Sequence, residues 1–409
     1  MMSTRAFLFL QGICSPFFIC LADNLRSAGH SVFRINFNGG DMAYWSGRPA
    51  WAFRGKVGEL PAFLDEKFCS HGITDMVLFG DRRPLHRQAI EPARKKGIRI
   101  HVFEEGYFRP FWVTLEREGV NGHSLLPRNP DWYRKVGARL PDYGNGEKFK
   151  TSFGARALHD LLYHLAGTVN PLFFPRYRTH ASCNAAVEYS GYTRRFAMAP
   201  FYERSDRRVL DNLISDARPF FFLPLQLNSD AQIRDHSPFG NMNDVIEFVM
   251  ESFARYAPGD ARLVIKNHPL DTGLVNYPKI ISRLARYFDL SGRVFYLEDS
   301  YLVALLRLAR GVVTVNSTIG LWAMKYRCPT ITLSNPIYNL PGLTFQGTLD
   351  EFWRRAAAPD DELFRCFRNT VIHTTQVNGG FYSREGIVMT VKNSLRLLEP
   401  IRSPLEELL

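Results

Sequence analysis

The feature that most limits how this chain can fold is the regular return of short apolar runs, each followed by a polar loop and then by a stretch with helix period. In the first hundred residues the runs lie at 6–10, 32–37, 76–79 and 98–103, and helix-like segments follow at 16–28 and 85–96. Strands alternating with helices build a parallel sheet with helices on both faces. In open sheets of that kind, ligands are met outside the carboxyl ends of the strands. The loops "QGICSPF", "NFNGGD", "FGDRRP" and "FEEGYFRP" are therefore expected along one edge.

A second series begins near residue 219. Its strands are expected at 220–225, 263–266, 294–296, 312–315 and 330–333, with helices at 244–256, 301–310 and 318–326. Between the two series, "LPRNPDWYRK", "LPDYGNG" and "PLFFPRYRTH" are rich in proline, aromatics and basic residues, with one helical stretch near 155–167. This divides the chain into an N-terminal Rossmann-like domain (1–125), a helical connecting region (126–205), a C-terminal Rossmann-like, nucleotide-binding domain (206–382) and a terminal helix (383–409) packing back on the first domain. Two Rossmann-like halves facing across a cleft, with a crossing C-terminal helix, form an α/β architecture of the GT-B type, the first half being the acceptor side.

Charge and cysteine content narrow the partners. With 51 Lys and Arg against 40 Asp and Glu, the formal charge is +11, which favours an acidic partner such as an anionic sugar nucleotide or a membrane surface, although a basic enzyme surface gives the same balance. No recognition-helix, zinc or RNP pattern accompanies it, so nucleic acid is not expected. The six cysteines are scattered without a CxxC pair, which suits a reducing compartment. No run reaches the roughly 18 apolar residues of a membrane span, and the N-terminal apolar run is too short for a signal-peptide core. A cytoplasmic protein, soluble or peripheral, is expected.

The chemistry concentrates at strand ends. In "LVIKNHPLD" an apolar run stops at Lys266, Asn267, His268 and Pro269, where proline forbids the strand to continue and a cation and an imidazole suit an anion. In "VTVNSTIGLWAMKY" a strand gives way at Asn316, Ser317 and Thr318 to a helix, whose first backbone N–H groups favour a phosphate. Ser or Thr at that place is also ordinary helix capping. The chain has no GxxxxGK[ST] and no Asp-x-Asp, so neither P-loop chemistry nor an obvious carboxylate clamp for a metal is expected. "FEEGYFRP" sets Glu104 and Glu105 before Gly106 and Arg109, and the missing side chain of Gly106 lets backbone or substrate approach closely. "LPLQLNSDAQI" sets Asp230 in a loop with Gln226 and Gln232, which are expected to face substrate. Two carboxylates flanking a sugar are what glycosyl transfer with retention requires.

In this order, "FEEGYFRP", "LPLQLNSDAQI", "IKNHP" and "VNSTIG", with "FLQGICSPFF", "WVTLEREGVNGHS", "IYNLPGLTFQG" and "TQVNGGFYS", resemble the capsule polysaccharide biosynthesis and export family of Gram-negative, ABC-transporter-dependent capsules. The resemblance spans nearly the whole chain. It implies a retaining β-Kdo transferase of GT-B fold that uses CMP-Kdo and starts a short Kdo linker on lysophosphatidylglycerol, peripheral on the inner face of the inner membrane, with no metal or cofactor. It implies Asp230 as nucleophile, and Lys266, His268, Pro269, Ser317 and Thr318 at the CMP phosphate. Relatives carry Glu-Asp-Gly where this chain has Glu104-Glu105-Gly106, so the acid/base is either glutamate. Arg109 is the first choice for the Kdo carboxylate, ahead of Arg82 and Arg83, which are expected on a solvated surface. The aromatic and basic stretches "PLFFPRYRTH" and "GYTRRF" suit an interfacial contact. Other readings are a transferase with another donor, such as CMP-sialic acid, and a non-catalytic scaffold that meets other capsule synthesis or export proteins.

Overall fold

The computed structural model describes residues 4–178, 185–228, 233, 237–298 and 301–409. The chain divides into two compact units. One comprises Met1–Pro127, Arg139–His180 and Arg368–Leu409, the other Arg128–Ala138 and Ala181–Phe367. Both are α/β. Among the described residues the first unit opens with β1 (Ala6–Phe9), β2 (Ser31–Asn36), β3 (Trp51–Ala52), β4 (Asp75–Phe79), β5 (Arg99–Glu105) and β6 (Trp112–Arg117). The second holds β7 (Phe220–Pro224), β8 (Arg262–Lys266), β9 (Val294–Leu297), β10 (Gly311–Thr314) and β11 (Thr330–Thr332), after which β12 (Gln376–Asn378) returns to the first.

The first sheet has the order β12-β6-β5-β4-β1-β2-β3. Its centre is parallel as the alternation predicts, but β6 runs antiparallel to β5 and β12 antiparallel to β6, so the sheet is mixed. β1 and β4 are buried along their whole length, as an apolar run covered on both faces must be. Alternation sorts their side chains. Phe7, Phe9, Val77 and Phe79 pack with Phe17, Leu21, Phe381 and Leu398 on one face, while Leu8, Leu10, Met76 and Leu78 pack with Leu64, Phe68 and Ala89 on the other. The helix Arg384–Leu398 lies on the first of these faces.

The second sheet is parallel throughout, in the order β11-β10-β7-β8-β9. Phe221, Leu223, Leu263 and Ile265 meet the helix Met242–Tyr256 and Trp353 on one face. Phe222, Val264 and Val312 meet Leu210, Leu213 and Leu305 on the other. Leu210 and Leu213 belong to a long helix, Ala185–Ser215, which runs through the boundary expected between residues 205 and 206. The connecting region does not stand apart: 139–180 folds with the first unit, 185–215 with the second, and the return to the first unit falls at 368, before residue 382.

At the amino end of the first sheet, three strands meet on Asp75, which is fully buried. Its carboxylate accepts from Arg5 Nε at 2.8 Å, Arg99 Nε at 2.9 Å and His101 Nε2 at 2.8 Å. Arg5 also donates to the carbonyls of Leu398 and Glu399 at 2.7 and 2.8 Å, tying the terminal helix to β1. Burial pushes the Asp75 carboxyl up, but the hydrogen bonds from His101, Arg5 and Arg99 outweigh it and hold the group well below the usual carboxylate range. Burial, reinforced by the neighbouring Arg117, pushes the His101 imidazole down to about 4 against the bond to Asp75.

The two groups act in different pH windows. The unfolded chain protonates His101 below about 6.5, whereas the folded protein refuses that proton until about 4. Stability is therefore fully present above pH 6.5 and falls as pH drops toward 4, by on the order of 2–3 kcal/mol. The Asp75 contribution is lost only below the unfolded carboxylate value. Urea midpoints measured at pH 7.5 and pH 5 are expected to differ for the wild type and to converge in His101→Gln. Asp75→Ala, which strands buried cations, is expected to cost about 3–5 kcal/mol at pH 7.5. A wild-type midpoint unchanged between the two pH values would refute the assignment.

Candidate active site

The hairpin β5–β6 carries the two glutamates, and strand alternation sends them to opposite faces. Glu105 lines a cavity of about 250 Å³ together with Arg109, Trp112, Phe149, Arg156 and Tyr382, all within the first unit. Glu104 turns the other way. Its Oε1 accepts from the Glu105 amide at 3.0 Å, and its Oε2 stands 3.1 Å from where a Cβ on Gly80 would be. Gly106 is required by the hairpin itself, since a Cβ there would lie 1.8 Å from Trp112 O. The close approach expected at Gly106 is thus made by the protein's own backbone.

Two guanidinium groups share the cavity wall with Glu105. Arg109 Nε donates to Gly106 O at 3.2 Å, which pins the side chain beside the hairpin. Arg156 comes from the first turn of the helix Phe153–Ala166, whose start is capped by Ser152 Oγ accepting from Ala155 N at 3.1 Å. Its guanidinium stands 3.7 Å from Glu105 Oε1 and 4.9 Å over the Tyr382 ring. Burial, then the adjacent Glu105, pushes the Tyr382 phenol well up, so it stays protonated at neutral pH. One carboxylate among two arginines and aromatic walls can accept a proton from a hydroxyl while an anionic group is held alongside. Arg156 and Tyr382 were not singled out from the sequence. Tyr382 lies in the "GGFYS" phrase without a chemical cue, and Arg156 sits in a helix with no motif.

In the second unit, three motifs from distant parts of the chain end at one sheet edge, on the adjacent strands β10, β7 and β8. Gln226 follows β7 and Asn316 follows β10. Gln226 Nε2 donates to Asn316 Oδ1 at 2.9 Å, and Asn316 N donates to Gln226 Oε1 at 3.2 Å. Both side chains, expected to face substrate or nucleotide, thus brace neighbouring strand ends. Lys266 closes β8, is only 5% exposed and donates to Asn267 O at 3.2 Å.

The Asn267–Asp271 loop is held by its own polar groups. Asn267 Oδ1 accepts from His268 N at 2.8 Å, and Asn267 Nδ2 donates to Glu298 Oε2 at 3.1 Å. His268 Nδ1 accepts from Leu270 N at 3.1 Å, which places the proton of the neutral imidazole on Nε2. Pro269 is exposed. Arg195, from the long helix, donates to the carbonyls of His268 at 3.0 Å, Asp271 at 2.6 Å and Glu298 at 3.2 Å, and Arg194 donates to Gly273 O at 2.7 Å. These arginines belong to "GYTRRF", expected at a membrane interface. The structure uses them to position the Lys266–His268 loop.

After β10, Ser317 Oγ accepts from Ile319 N at 3.2 Å, while Thr318 makes no capping bond. The helix Ile319–Lys325 has seven residues. Tyr338 OH donates to Ser317 O, and a Cβ on Gly320 would meet that hydroxyl at 2.5 Å, so the "IYNLPG" phrase serves to fix this turn. Asp230 and Gln232 lie outside the described residues. Arg83, expected in solvent, donates to Gly12 O at 2.7 Å and to Gln11 Oε1 at 3.3 Å, and so supports the loop after β1.

Residues 74–382 match the model of the family described as capsule polysaccharide biosynthesis protein. The capsule polysaccharide export protein KpsS of Escherichia coli is 39% identical over 385 residues, covering 93% of this chain and 98% of that protein. The capsule polysaccharide modification protein LipB of Neisseria meningitidis serogroup B is 35% identical over 388 residues, covering 93% of each. A solved structure, the Thermosulfurimonas dismutans KpsC beta Kdo 2,7 transferase, superposes with a TM-score of 0.45 at 13% identity over 95% of this chain and 99% of that one. The chain belongs to the capsule polysaccharide biosynthesis protein family.

The Arg195 contacts generate a direct test. In Arg195→Met, backbone amides between 268 and 273 are expected to exchange hydrogen about tenfold faster or more, with amides of β7 and β8 unchanged. Unaltered exchange in the loop would show that the guanidinium does not hold it.

Proposed function

We propose that this member of the capsule polysaccharide biosynthesis family is a retaining β-Kdo glycosyltransferase. It takes Kdo from CMP-Kdo and adds it to lysophosphatidylglycerol, starting the poly-Kdo linker of a capsular polysaccharide while resting on the inner face of the inner membrane. The observation that carries the reading is the meeting of "LPLQLN", "IKNHP" and "VNSTIG" at the carboxyl edge of β7, β8 and β10, with Lys266 closing β8 beside the end of β7. A lysine, an imidazole and turn amides suit the single phosphate of a CMP-sugar without a metal.

In the first step a carboxylate oxygen of Asp230 attacks the anomeric carbon of Kdo. The bond from that carbon to the phosphate oxygen breaks, and CMP leaves with the electron pair. Lys266 and the Nε2–H of His268 stabilise the phosphate charge; Asn316, Ser317 and Thr318 shape its turn, and Pro269 ends the loop. In the second step Glu105 takes the proton of the acceptor hydroxyl, whose oxygen displaces Asp230 from the same carbon. Two inversions give retention. Glu105 is preferred to Glu104 because its carboxylate lines the cavity, with Arg109 beside it for the carboxylate of the sugar. Gln226 supports the strand end that leads to Asp230, and Gln232 is assigned to the sugar.

Transfer is measured by product mass with purified protein, CMP-Kdo generated in situ and a fluorescent lysophosphatidylglycerol. A gain of one Kdo is expected, reduced about 10³-fold or more in Asp230→Ala and far more in Glu105→Gln than in Glu104→Gln. Lys266→Met is expected to weaken CMP binding by about tenfold or more. A wild type that binds CMP but makes no product would transfer the assignment to another donor, such as CMP-sialic acid, or another acceptor. A protein that neither binds CMP nor makes product would not be this enzyme, and the scaffold role would replace it.

A further inference from the structure

The helix Phe153–Ala166 packs against its own unit by the wrong side. Leu158, Leu161, Leu162 and Leu165 follow the i, i+3, i+4, i+7 spacing of a single apolar stripe, and all four are exposed, Leu158 by 55% and Leu165 by 61%. The face turned inward is polar. Tyr163 OH donates to Asp41 Oδ1 at 3.1 Å and accepts from Asn38 Nδ2 at 2.8 Å, and His159 Nδ1 meets Tyr44 OH at 2.8 Å. Gly39 and Gly40 let the helix approach, since a Cβ on Gly40 would strike the Tyr163 ring at 2.6 Å. Beyond the helix, Leu172 is 82% exposed and Phe173 is exposed as well. A contiguous apolar stripe left in the open marks a contact surface.

Charge and position identify what covers it. Along the chain, exposed cations flank the stripe, Lys148 and Lys150 before it and Arg176 and Arg178 after it. The one carboxylate between them, Asp160, is half-buried and paired with His164 at 3.7 Å. A leucine face flanked by basic residues matches the interface of an anionic bilayer. The helix is also continuous with the candidate site, because its first turn supplies Phe153 and Arg156 to the cavity that holds Glu105. No described helix is long and apolar enough to cross a membrane, so this contact is peripheral. We infer that the leucine stripe of Phe153–Ala166 is the face by which the protein docks on an anionic phospholipid bilayer, presenting the Glu105 cavity to a lipid acceptor. The acceptor clause rests on the reaction proposed above; the docking does not.

The full-length protein is floated with vesicles of phosphatidylglycerol and phosphatidylcholine, and with phosphatidylcholine alone. Binding to the anionic vesicles is expected, weakening as salt is raised. A fourfold Leu→Ser variant at 158, 161, 162 and 165 is expected to lower the partition coefficient about tenfold or more with an unchanged melting temperature. Lys148→Glu with Lys150→Glu, Arg176→Glu and Arg178→Glu is expected to lower binding to anionic vesicles only. A wild type that stays unbound, or a serine variant that floats like the wild type, would overturn the docking face. So would a wild type that self-associates in sedimentation, becomes monomeric with the serines and ignores vesicles, since the stripe would then be an interface between copies. Transfer to a short-chain, water-soluble acceptor separates the two proposals. Equal transfer by wild type and serine variant is expected, and absence of transfer from both would defeat the reaction while leaving the vesicle result standing.

Discussion

Asp75 is charged and fully buried, a placement that costs several kcal/mol unless the charge is met by partners fixed in place. Those partners come from the two strands that flank β4 and reach a further element. Arg5 leads into β1, Arg99 and His101 stand on β5, and Arg5 also holds the last carbonyls of the terminal helix. The amino edge of the first sheet is thereby closed as a structural assembly. It fixes where β1, β4 and β5 begin, and so which residues arrive at the opposite edge, where Glu105 ends β5.

Parallel strands make that opposite edge the place where distant sequence meets. In the second unit, Gln226, Lys266 and Asn316 are 40–90 residues apart, yet the order β10-β7-β8 places them side by side. Much of their polar capacity is spent on one another or on loop carbonyls. A site built this way is ordered before any ligand arrives, which reduces the ordering cost of binding. Arg195 extends the same logic, because backbone carbonyls turned from water need partners, and one guanidinium serves four of them, those of His268, Pro269, Asp271 and Glu298.

The parts of this fold legible in the sequence are those with a strong period. The runs at 6–10, 76–79, 220–225 and 263–266 became β1, β4, β7 and β8, because continuous burial writes itself as continuous apolarity. β12 escaped notice because its three residues include two polar ones, Gln376 and Asn378, too few for any alternation. β6 carries Thr114, Glu116 and Arg117 as buried polar residues, so its composition hides its position inside the sheet. The long helix 185–215 contains Pro200 and mixed polarity, which masks its period. At the candidate site, residue type and strand-end position are what single out Glu105, Lys266 and His268 as candidates. Roles that depend on tertiary neighbours, such as Arg195 or Arg156, leave no local mark. Telling Glu104 from Glu105 required the register of one strand, which a bare Glu-Glu pair does not carry.

The helix Phe153–Ala166 shows the same limit from the other side. Its leucine stripe is plain in the sequence, and by periodicity alone it would be turned inward. Rolling the helix by half a turn would recover about half of the roughly 1.5–3 kcal/mol that full burial of a leucine gives, since each of the four is already about half-buried. It would also remove Tyr163 and His159 from Asp41, Asn38 and Tyr44. Asn38 is almost wholly buried and would lose its Tyr163 partner, and buried polar groups left without partners cost about 1–3 kcal/mol each, although Asp41 would keep Arg34 at 3.2 Å and the Phe37 amide at 3.1 Å. The close approach at Gly39 and Gly40 would be lost as well. The two packings are thus comparable in isolation, and a surface that takes up the leucines without disturbing the polar face tips the balance. An apolar medium outside the protein does this at no cost to the interior, and the helix whose first turn lines the Glu105 cavity is held in register by the same polar contacts.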